Sequence, residues 1–298
     1  MYRSILVPLD GSPFAEHALP LAASIARHSS AMLHLVHVHV ATGSVDIDLM
    51  PHPDEAEQRV SVLAYLDDVA ARISADGVIP ITTALLDAPV SHALHSYAAT
   101  HGVDLTVMTT HGRGALSRLW VGSVADRLMR QSTGPVLLVH PHDGAAEADS
   151  APTFKHMLIP LDGSALAEQI LPHALALGSL MQADYTLLQV TELALASTEL
   201  YGSEFDSAVQ ERVRGRAQRY LDHLAAPLRA EGMNVRAEIA IGWPAQQILQ
   251  YAHDHNIDAI ALATHGHGGL ARLLMGSVSD KVVRGATGPV LLYRPHEG

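Results

Sequence analysis

The sequence THGRGALSRLWVGSVADRLMRQSTGPVLLVHP at residues 110–141 returns as THGHGGLARLLMGSVSDKVVRGATGPVLLYRP at residues 264–295. A second stretch, ILVPLDGSPFAEHALPLA at residues 5–22, is echoed by MLIPLDGSALAEQILPHA at residues 157–174. The two pairs of stretches are separated by 154 and 152 positions respectively. This period is the length of an ordinary domain and is too long for a solenoid unit. The chain is therefore predicted to be two copies of one domain.

The boundary between the copies is predicted from a change in composition. The stretch PHDGAAEADSAPT, residues 141–153, is rich in Ala, Pro, Gly and acidic residues and has no apolar period, as is typical of a linker. We expect a first domain at residues 1–142, a linker at 143–153 and a second domain at 154–298.

The composition restricts the class of protein and of partner. The chain of 298 residues is 48% hydrophobic and 17% charged, which is enough apolar material for a compact core. The sequence contains no apolar run of about 20 residues, and its first residues, MYRSILVPLD, resemble a strand rather than a signal peptide. We therefore expect a cytoplasmic protein without a membrane span.

Charge and cysteine content exclude further classes. The chain has no cysteine, so it cannot form disulfides or thiolate metal sites. Its net charge is -12 and no helix carries a stripe of Lys and Arg, which argues against nucleic acid as a partner. A small ligand or another protein remains.

Each copy alternates short apolar runs with Ala-rich helical segments, which is the pattern of βαβ units around a parallel sheet. We predict an α/β fold with two tandem, doubly wound, parallel five-stranded sheets of strand order 3-2-1-4-5 and helices on both faces. The predicted strands are residues 4–9, 31–40, 79–86, 104–109 and 135–140, then 155–161, 183–191, 235–241, 258–263 and 289–294.

Two helical segments carry more specific expectations. The helix at residues 53–76 has apolar residues at steps of three and four, which predicts one buried stripe. The stripe consists of Val60, Leu63, Leu66, Val69 and Ile73. Pro20 and Pro172 fall inside the first helix of each copy, where we expect a kink.

Both repeated motifs lie where strands end. Ligands of such sheets bind beyond the carboxyl ends of the strands, where the strand order reverses. Asp10 and Asp162 end the first strands, and the glycine-rich segments follow the fourth strands. Strands one and four are neighbours in the predicted order, so the two motifs of a copy are expected to face one crevice.

The glycine-rich segments suggest phosphate binding. Gly112 and Gly122 permit positive φ and close approach of the backbone, and a helix that starts near Ser123 presents free N–H groups. The hydroxyls of Ser123 and Ser277 can donate to phosphate, and Arg118 and Arg272 can add positive charge. The segments lack the GK[ST] of a Walker motif, and no Rossmann fingerprint follows the first strands.

These residues resemble the universal stress protein family, whose nucleotide-binding members carry G-x2-G-x9-G-[ST] after the fourth strand. The resemblance covers nearly the whole chain as a tandem pair. Nine residues separate Gly112 from the pair Gly122 and Ser123, and nine separate Gly266 from the pair Gly276 and Ser277. Thr109 and Ala263 stand where the family has its leading glycine.

The resemblance implies a regulator of the stress response that binds ATP or another adenine nucleotide, with or without Mg²⁺. It implies no catalysis beyond a slow ATPase, and a homodimer with contacts between fifth strands. By the same resemblance, Asp10 and Asp162 contact adenine or ribose, Val38 and Val190 meet the adenine edge, and Ser123 and Ser277 bind phosphate. The remaining implied pocket residues are Pro8, Met108, Gly112, Gly122, Val124, Pro160, Leu262, Gly266, Gly276 and Val278.

Structural roles are the alternative for several of these residues. Ser123-x-x-Asp126 and Ser277-x-x-Asp280 also match helix capping boxes. Asp10 and Asp162 could order the turn after the first strand, with Ser12 capping a helix that starts at Pro13.

Other sequence patterns bear on the alternatives to nucleotide binding. His37 and His39 lie on one face of the second strand at metal-ligand spacing, although Gln189 and Thr191 replace them in the second copy. No hydrolase elbow or zinc-protease motif is present. The main alternative is a nucleotide-free dimerising scaffold with degenerate glycine loops, and a second is an enzyme of the related adenine-nucleotide hydrolase or electron-transfer flavoprotein folds.

Overall fold

The computed structural model describes residues 2–39, 53–75, 77, 79–110, 123–132, 134–140, 152–191, 203–264 and 276–295. Side chains are not described at positions 53, 54, 123, 126, 130, 131 and 203–208. The chain divides into two compact units, Met1–Thr153 and Phe154–Gly298. The linker predicted at 143–153 lies mostly outside the described residues, so its bounds stay a prediction.

Unit 1 contains a parallel sheet of order β3-β2-β1-β4-β5. Its strands are β1 (Ser4–Pro8), β2 (Met32–His39), β3 (Ile81–Asp87), β4 (Leu105–Thr109) and β5 (Val136–Val139). Its helices are α1 (Pro13–Glu16), α2 (Leu19–Ser29), α3 (Pro53–Ala75), α4 (Val90–Thr100) and α5 (Ser123–Gln131). The inner strands β1 and β4 are buried almost throughout, because helices cover both faces of the sheet.

Unit 2 repeats this plan, with a parallel sheet of order β8-β7-β6-β9-β10. Its strands are β6 (His156–Pro160), β7 (Asp184–Thr191), β8 (Val235–Ile241), β9 (Ala259–Ala263) and β10 (Val290–Tyr293). Its helices are α6 (Ala165–Glu168), α7 (Leu171–Leu180), α8 (Ser203–Ala230), α9 (Pro244–Asp254) and α10 (Ser277–Gly285). The predicted fold class and strand order are confirmed in both units.

Side-chain contacts on β2 show how helices cover the two faces of unit 1. The His34 ring contacts Tyr97 of α4, whereas His39 lies 3.4 Å from Glu55 of α3. Successive side chains of a strand point to opposite faces, so these two residues, five positions apart, face opposite sides. Helices α3 and α4 therefore lie on opposite faces of the sheet.

The predicted kink in the first helix is instead a break. In unit 1, α1 ends at Glu16 and α2 begins at Leu19 with Pro20 in its first turn. In unit 2, Pro172 has the same place at the start of α7. Proline lacks an N–H, and the first turn of a helix is where this donor has no intrahelical partner. Starting a second helix at the proline therefore avoids the cost of a kink.

The apolar stripe of α3 is buried only in part, which corrects the prediction. Leu66 and Val69 are fully buried and Ile73 is 8% exposed, whereas Val60 is 67% and Leu63 43% exposed. The turns that carry Val60 and Leu63 lie alongside β3, since Arg59 contacts Asp87 and Asp67 contacts Thr83. A residue advances about 100° around a helix, so repeated steps of three rotate the stripe and put Val60 about 180° from the buried Val69.

A buried polar cluster of unit 1 lies between β1, β2 and α4. His34 Nε2 is 3.0 Å from Ser4 Oγ, and His34 Nδ1 is 3.1 Å from the Tyr97 hydroxyl. His101 stacks on Tyr97 with ring centroids 3.9 Å apart. These hydroxyls and the imidazole hydrogen-bond to one another, which lowers the free-energy cost of burying them.

Unit 2 has the same cluster with two residue types exchanged. Its imidazole comes from the first strand and its hydroxyl from the second, and His156 Nε2 is 2.8 Å from Thr186 Oγ1. Tyr251 and His255 again stack with centroids 3.9 Å apart. Each unit therefore keeps one imidazole and one hydroxyl in contact, but on opposite strands.

In the parts of the chain that the structure describes, no helix combines the length and apolar character needed to cross a membrane.

Candidate functional site

The turn after β1 is organised by Asp10 and Ser12. The Ser12 N–H and hydroxyl both donate to Asp10 Oδ1, at 2.9 and 2.6 Å. Ser12 Oγ in turn accepts from the Ala15 N–H at 3.3 Å, so Ser12 is the N-cap of α1, which begins with Pro13. The proposed structural role of Asp10 and the cap at Ser12 are confirmed.

The turn after β6 has the same geometry. Asp162 Oδ1 accepts from the N–H and hydroxyl of Ser164 at 2.9 and 2.6 Å, and Ser164 Oγ accepts from the Ala167 N–H at 3.1 Å. Gly163 has φ +84° and Gly11 has φ +76°, a conformation that favours glycine. Contact of either aspartate with a ligand stays a prediction.

The predicted pocket residues of unit 1 lie on adjacent strand ends. Pro8 is the last residue of β1 and pairs with Val36, so Val38 lies two residues further along β2. The register of β1 with β4 places Met108 level with Pro8. Adjacent strands are about 4.8 Å apart, so the structure brings these three positions together at one edge of the sheet. Met108 is 7% exposed.

Unit 2 brings together the equivalent three residues. Pro160 ends β6 and pairs with Leu188, and Val190 lies two residues further along β7. The pairing of β6 with β9 places Leu262 level with Pro160. Leu262 is 4% exposed. The two units therefore bring matching sets of residues together at the carboxyl ends of their central strands.

The two residues that replace the leading glycine of the motif have ordinary strand conformation. Thr109 is the last residue of β4 and pairs with Val139, and Ala263 is the last residue of β9 and pairs with Tyr293. Their side chains are 7% and 8% exposed. The backbone does not require glycine at either position, since extended conformation suits any residue.

The start of α10 settles one alternative for unit 2. Gly276 is the N-cap, no side chain caps the helix, and Ser277 is the first helical residue with an exposed side chain. A capping box needs its serine at the N-cap, so the capping box at Ser277 and Asp280 is wrong. Asp280 instead pairs with Arg284 at 2.7 and 2.9 Å.

The equivalent start in unit 1 is described only in part. Helix α5 begins at Ser123, followed by the half-buried Val124, and Val278 has the same place in α10. The predicted phosphate-loop residues Gly112, Gly122 and Gly266 lie outside the described residues, as do Arg118 and Arg272. The hydroxyl of Ser123 is likewise not described.

Two tyrosines near the aspartate turns were not singled out from the sequence. Burial raises the pKa of Tyr65 on α3, and the charges of Glu16 and Asp10 raise it further. Burial likewise raises the pKa of Tyr220 on α8, with added effects of Glu168 and Asp162. Both hydroxyls therefore stay protonated beside a pair of carboxylates. The sequence could have identified them, because a tyrosine occurs in the corresponding helix of both copies.

The metal hypothesis for β2 finds no support. His39 lies 3.4 Å from Glu55, and His37 on the same face is 9% exposed. Among the described residues, no group of three or more His, Asp or Glu side chains is arranged to hold a metal ion.

Comparison with known proteins gives a consistent result over both units. The model of the universal stress protein family matches residues 1–140 and 153–294. A universal stress protein of Mycolicibacterium smegmatis is 27% identical over 304 residues, which cover 98% of this chain and 97% of that protein. A universal stress protein structure from Archaeoglobus fulgidus covers 98% of both chains with a TM-score of 0.67 at 20% identity. One from Pseudomonas aeruginosa, described as a putative universal stress protein, covers 99% of this chain and 94% of its own with a TM-score of 0.66 at 18% identity.

Proposed function

This chain belongs to the universal stress protein family, and from that premise we propose that it binds ATP or a related adenine nucleotide at one or both strand-end crevices. The bound nucleotide regulates a stress response by altering dimerisation or a partner surface. The observation that carries the proposal is the repeated Asp-Ser turn at the end of the first strand of each unit, whose hydrogen bonds agree within 0.2 Å.

The geometry of unit 2 is suited to a phosphate. The N–H groups in the first turn of a helix have no intrahelical acceptor, and the helix dipole favours an anion there. In α10 this turn begins at Gly276 and exposes the Ser277 side chain. Arg284 pairs with Asp280, and this pairing reduces the repulsion that the carboxylate of Asp280 would exert on a polyphosphate.

The nucleotide would regulate rather than be consumed. The proposed crevices place one aspartate near the ligand, and its Oδ1 already accepts two hydrogen bonds from a serine. The proposed crevice residues include no second carboxylate and no histidine to work with this aspartate as an acid–base pair. We therefore propose that any ATP hydrolysis is slow, with or without Mg²⁺. We also propose that the protein acts in the cytoplasm.

The nucleotide proposal is tested first on freshly purified protein. Denaturing it and identifying the released nucleotide by chromatography and mass spectrometry is expected to yield one or two adenine nucleotides per chain. Titration calorimetry of the emptied protein with ATP is expected to detect binding, with a greater loss for Ser277→Ala than for Ser123→Ala, because the unbranched Ala263 leaves more room than Thr109. A greater loss for Ser123→Ala would reverse the assigned order of the two crevices.

The main alternative function is a nucleotide-free scaffold. It is favoured by Thr109 and Ala263, whose Cβ atoms stand where the family has glycine. Its signature would be the absence of copurified nucleotide together with no calorimetric response to millimolar ATP.

We further propose that two chains form a homodimer through fifth strands, as the family resemblance implies. The strands concerned are β5 and β10, each the last in the strand order of its unit. Light scattering coupled to size exclusion is expected to give twice the chain mass of 31.8 kDa. A mass equal to one chain at micromolar concentration would contradict the dimer.

A further inference from the structure

The end of β9 contacts the start of α10, the two points of the chain that flank the second glycine-rich segment. We call this contact region the neck, and it consists of Ala263, Thr264, Gly276 and Ser279. The Gly276 N–H donates to the Thr264 carbonyl at 2.7 Å. The Ser279 hydroxyl donates to the Ala263 carbonyl at 3.0 Å and approaches the Thr264 carbonyl at 3.4 Å. The helix start is therefore fastened to the strand end by a backbone and a side-chain hydrogen bond.

The neck is closely packed and excludes water. Thr264 is 1% and Ser279 4% exposed. A Cβ on Gly276 would lie 3.0 Å from the Thr264 carbonyl oxygen, which is tighter than normal contact. A glycine at this position allows the helix to start this close to the strand. In such a setting, loss of the Ser279 hydroxyl would remove a donor from the buried Ala263 carbonyl, whereas the Thr264 carbonyl would keep the Gly276 N–H.

Unit 1 lacks the hydroxyl. The residue equivalent to Ser279 is Ala125, which is 1% exposed in α5. One hydrogen bond of the surroundings corresponds: the Thr110 N–H donates to the Val139 carbonyl at 3.0 Å, as the Thr264 N–H donates to the Tyr293 carbonyl at 2.9 Å. Among the described neck residues, unit 1 therefore differs at two positions, with Ala125 in place of Ser279 and Thr109 in place of Ala263, and Gly122, the counterpart of Gly276, lies outside the described residues.

We infer that Ser279 is a positioning residue that holds the first turn of α10 in place for a phosphate, and that the second crevice consequently binds ATP more tightly than the first. Preorganised donors bind more tightly because less conformational freedom is lost when the ligand arrives. The N–H groups concerned belong to the residues at the start of α10, which the hydroxyl of Ser279 fixes relative to β9. This inference rests on the proposed nucleotide function and adds a residue that does not itself touch the ligand.

The test uses the full chain and titration calorimetry with ATP and Mg²⁺. The wild-type protein is expected to show two affinities. Ser279→Ala is expected to weaken the tighter site about fivefold, since one net hydrogen bond is lost. Ser279→Thr keeps the hydroxyl and is expected to retain most of the affinity. The reciprocal variant Ala125→Ser is expected to strengthen the weaker site, a gain that a merely structural role would not produce.

The outcomes separate the inference from the proposal beneath it. The role of Ser279 would be overturned if the affinities for ATP stayed unequal in Ser279→Ala and if Ala125→Ser left both affinities unchanged. Nucleotide binding would stand in that case. Two equal sites in the wild-type protein would overturn the ranking of the crevices. No binding of ATP to the wild-type protein would overturn the nucleotide function, and this inference with it.

Discussion

Replacing Gly178 with alanine is expected to lower the free energy of unfolding of unit 2 by about 3 kcal/mol. The new Cβ would lie 2.5 Å from the Tyr185 hydroxyl oxygen and 2.6 Å from its Cε1. The ring cannot readily move away, because Tyr185 is 2% exposed and its hydroxyl donates to the Leu175 carbonyl at 3.1 Å. Closely packed cores accept such added volume only by shifting side chains or backbone.

The equivalent positions of unit 1 show which second substitution should compensate for Gly178→Ala. Its equivalent residues are Ala26 and Leu33, both fully buried, so the larger helix residue faces a smaller strand residue. Gly178→Ala combined with Tyr185→Leu reproduces this pair and is expected to recover much of the loss. The two changes couple because they touch.

Urea unfolding of the two single variants and the double variant measures this coupling. The matched control is Ala26→Gly in unit 1, which opens space instead of filling it and is expected to cost about 1 kcal/mol. Strictly additive losses from Gly178→Ala and Tyr185→Leu would show that the close approach of helix and ring does not determine stability here.

Acidification from pH 7.5 to 5 is expected to lower the melting temperature of unit 1, with the loss setting in below about pH 6.5. Burial lowers the pKa of His34, and a positive charge on His101 lowers it further. The unfolded chain therefore binds a proton near the ordinary value of 6.5, whereas the folded chain binds it only at lower pH. The stabilisation from neutral His34 is present above pH 6.5 and is lost as the pH falls below that value.

Thermal unfolding across this pH range with His34→Gln checks the assignment. Glutamine can still bond to Ser4 and Tyr97 but does not titrate, so the variant is expected to show a shallower dependence. His92→Gln on the exposed side of α4 is the control, because water reaches this imidazole in the folded and the unfolded chain. A dependence equally steep in His34→Gln and wild type would assign the acid sensitivity to other groups.

The strands were predictable from sequence because buried parallel strands appear as continuous apolar runs bounded by turn residues. Their order was expected from the doubly wound fold type and not from the runs themselves. The start of the turn at Asp10 was equally predictable, since Ser12 before Pro13 is a recognisable helix start. Pro20 and Pro172 showed where the first helix of each copy departs from regular geometry. Whether the helix kinks or breaks there depends on how the following residues pack, which the sequence does not show.

Other features depend on distances that the sequence does not contain. The periodicity of α3 includes Val60 and Leu63, yet the part of the rotating stripe that faces the sheet is determined by how the helix packs on β3, which the sequence does not contain. Ser279 is visible as a hydroxyl where the first copy has Ala125, but the carbonyl groups that accept from it are brought near only by the fold.

In unit 1 the hydroxyl is on the first strand and the imidazole on the second, whereas unit 2 has the reverse arrangement. This difference restricts how the two halves of the gene can recombine. A crossover between the first and second strands that joins the first strand of unit 2 to the second strand of unit 1 would place His156 against His34. The reciprocal product would place Ser4 against Thr186 and leave the two strands without an imidazole. Either product loses the imidazole–hydroxyl pair that each unit now has between these strands, so exchange between the repeats within this interval is expected to lower stability.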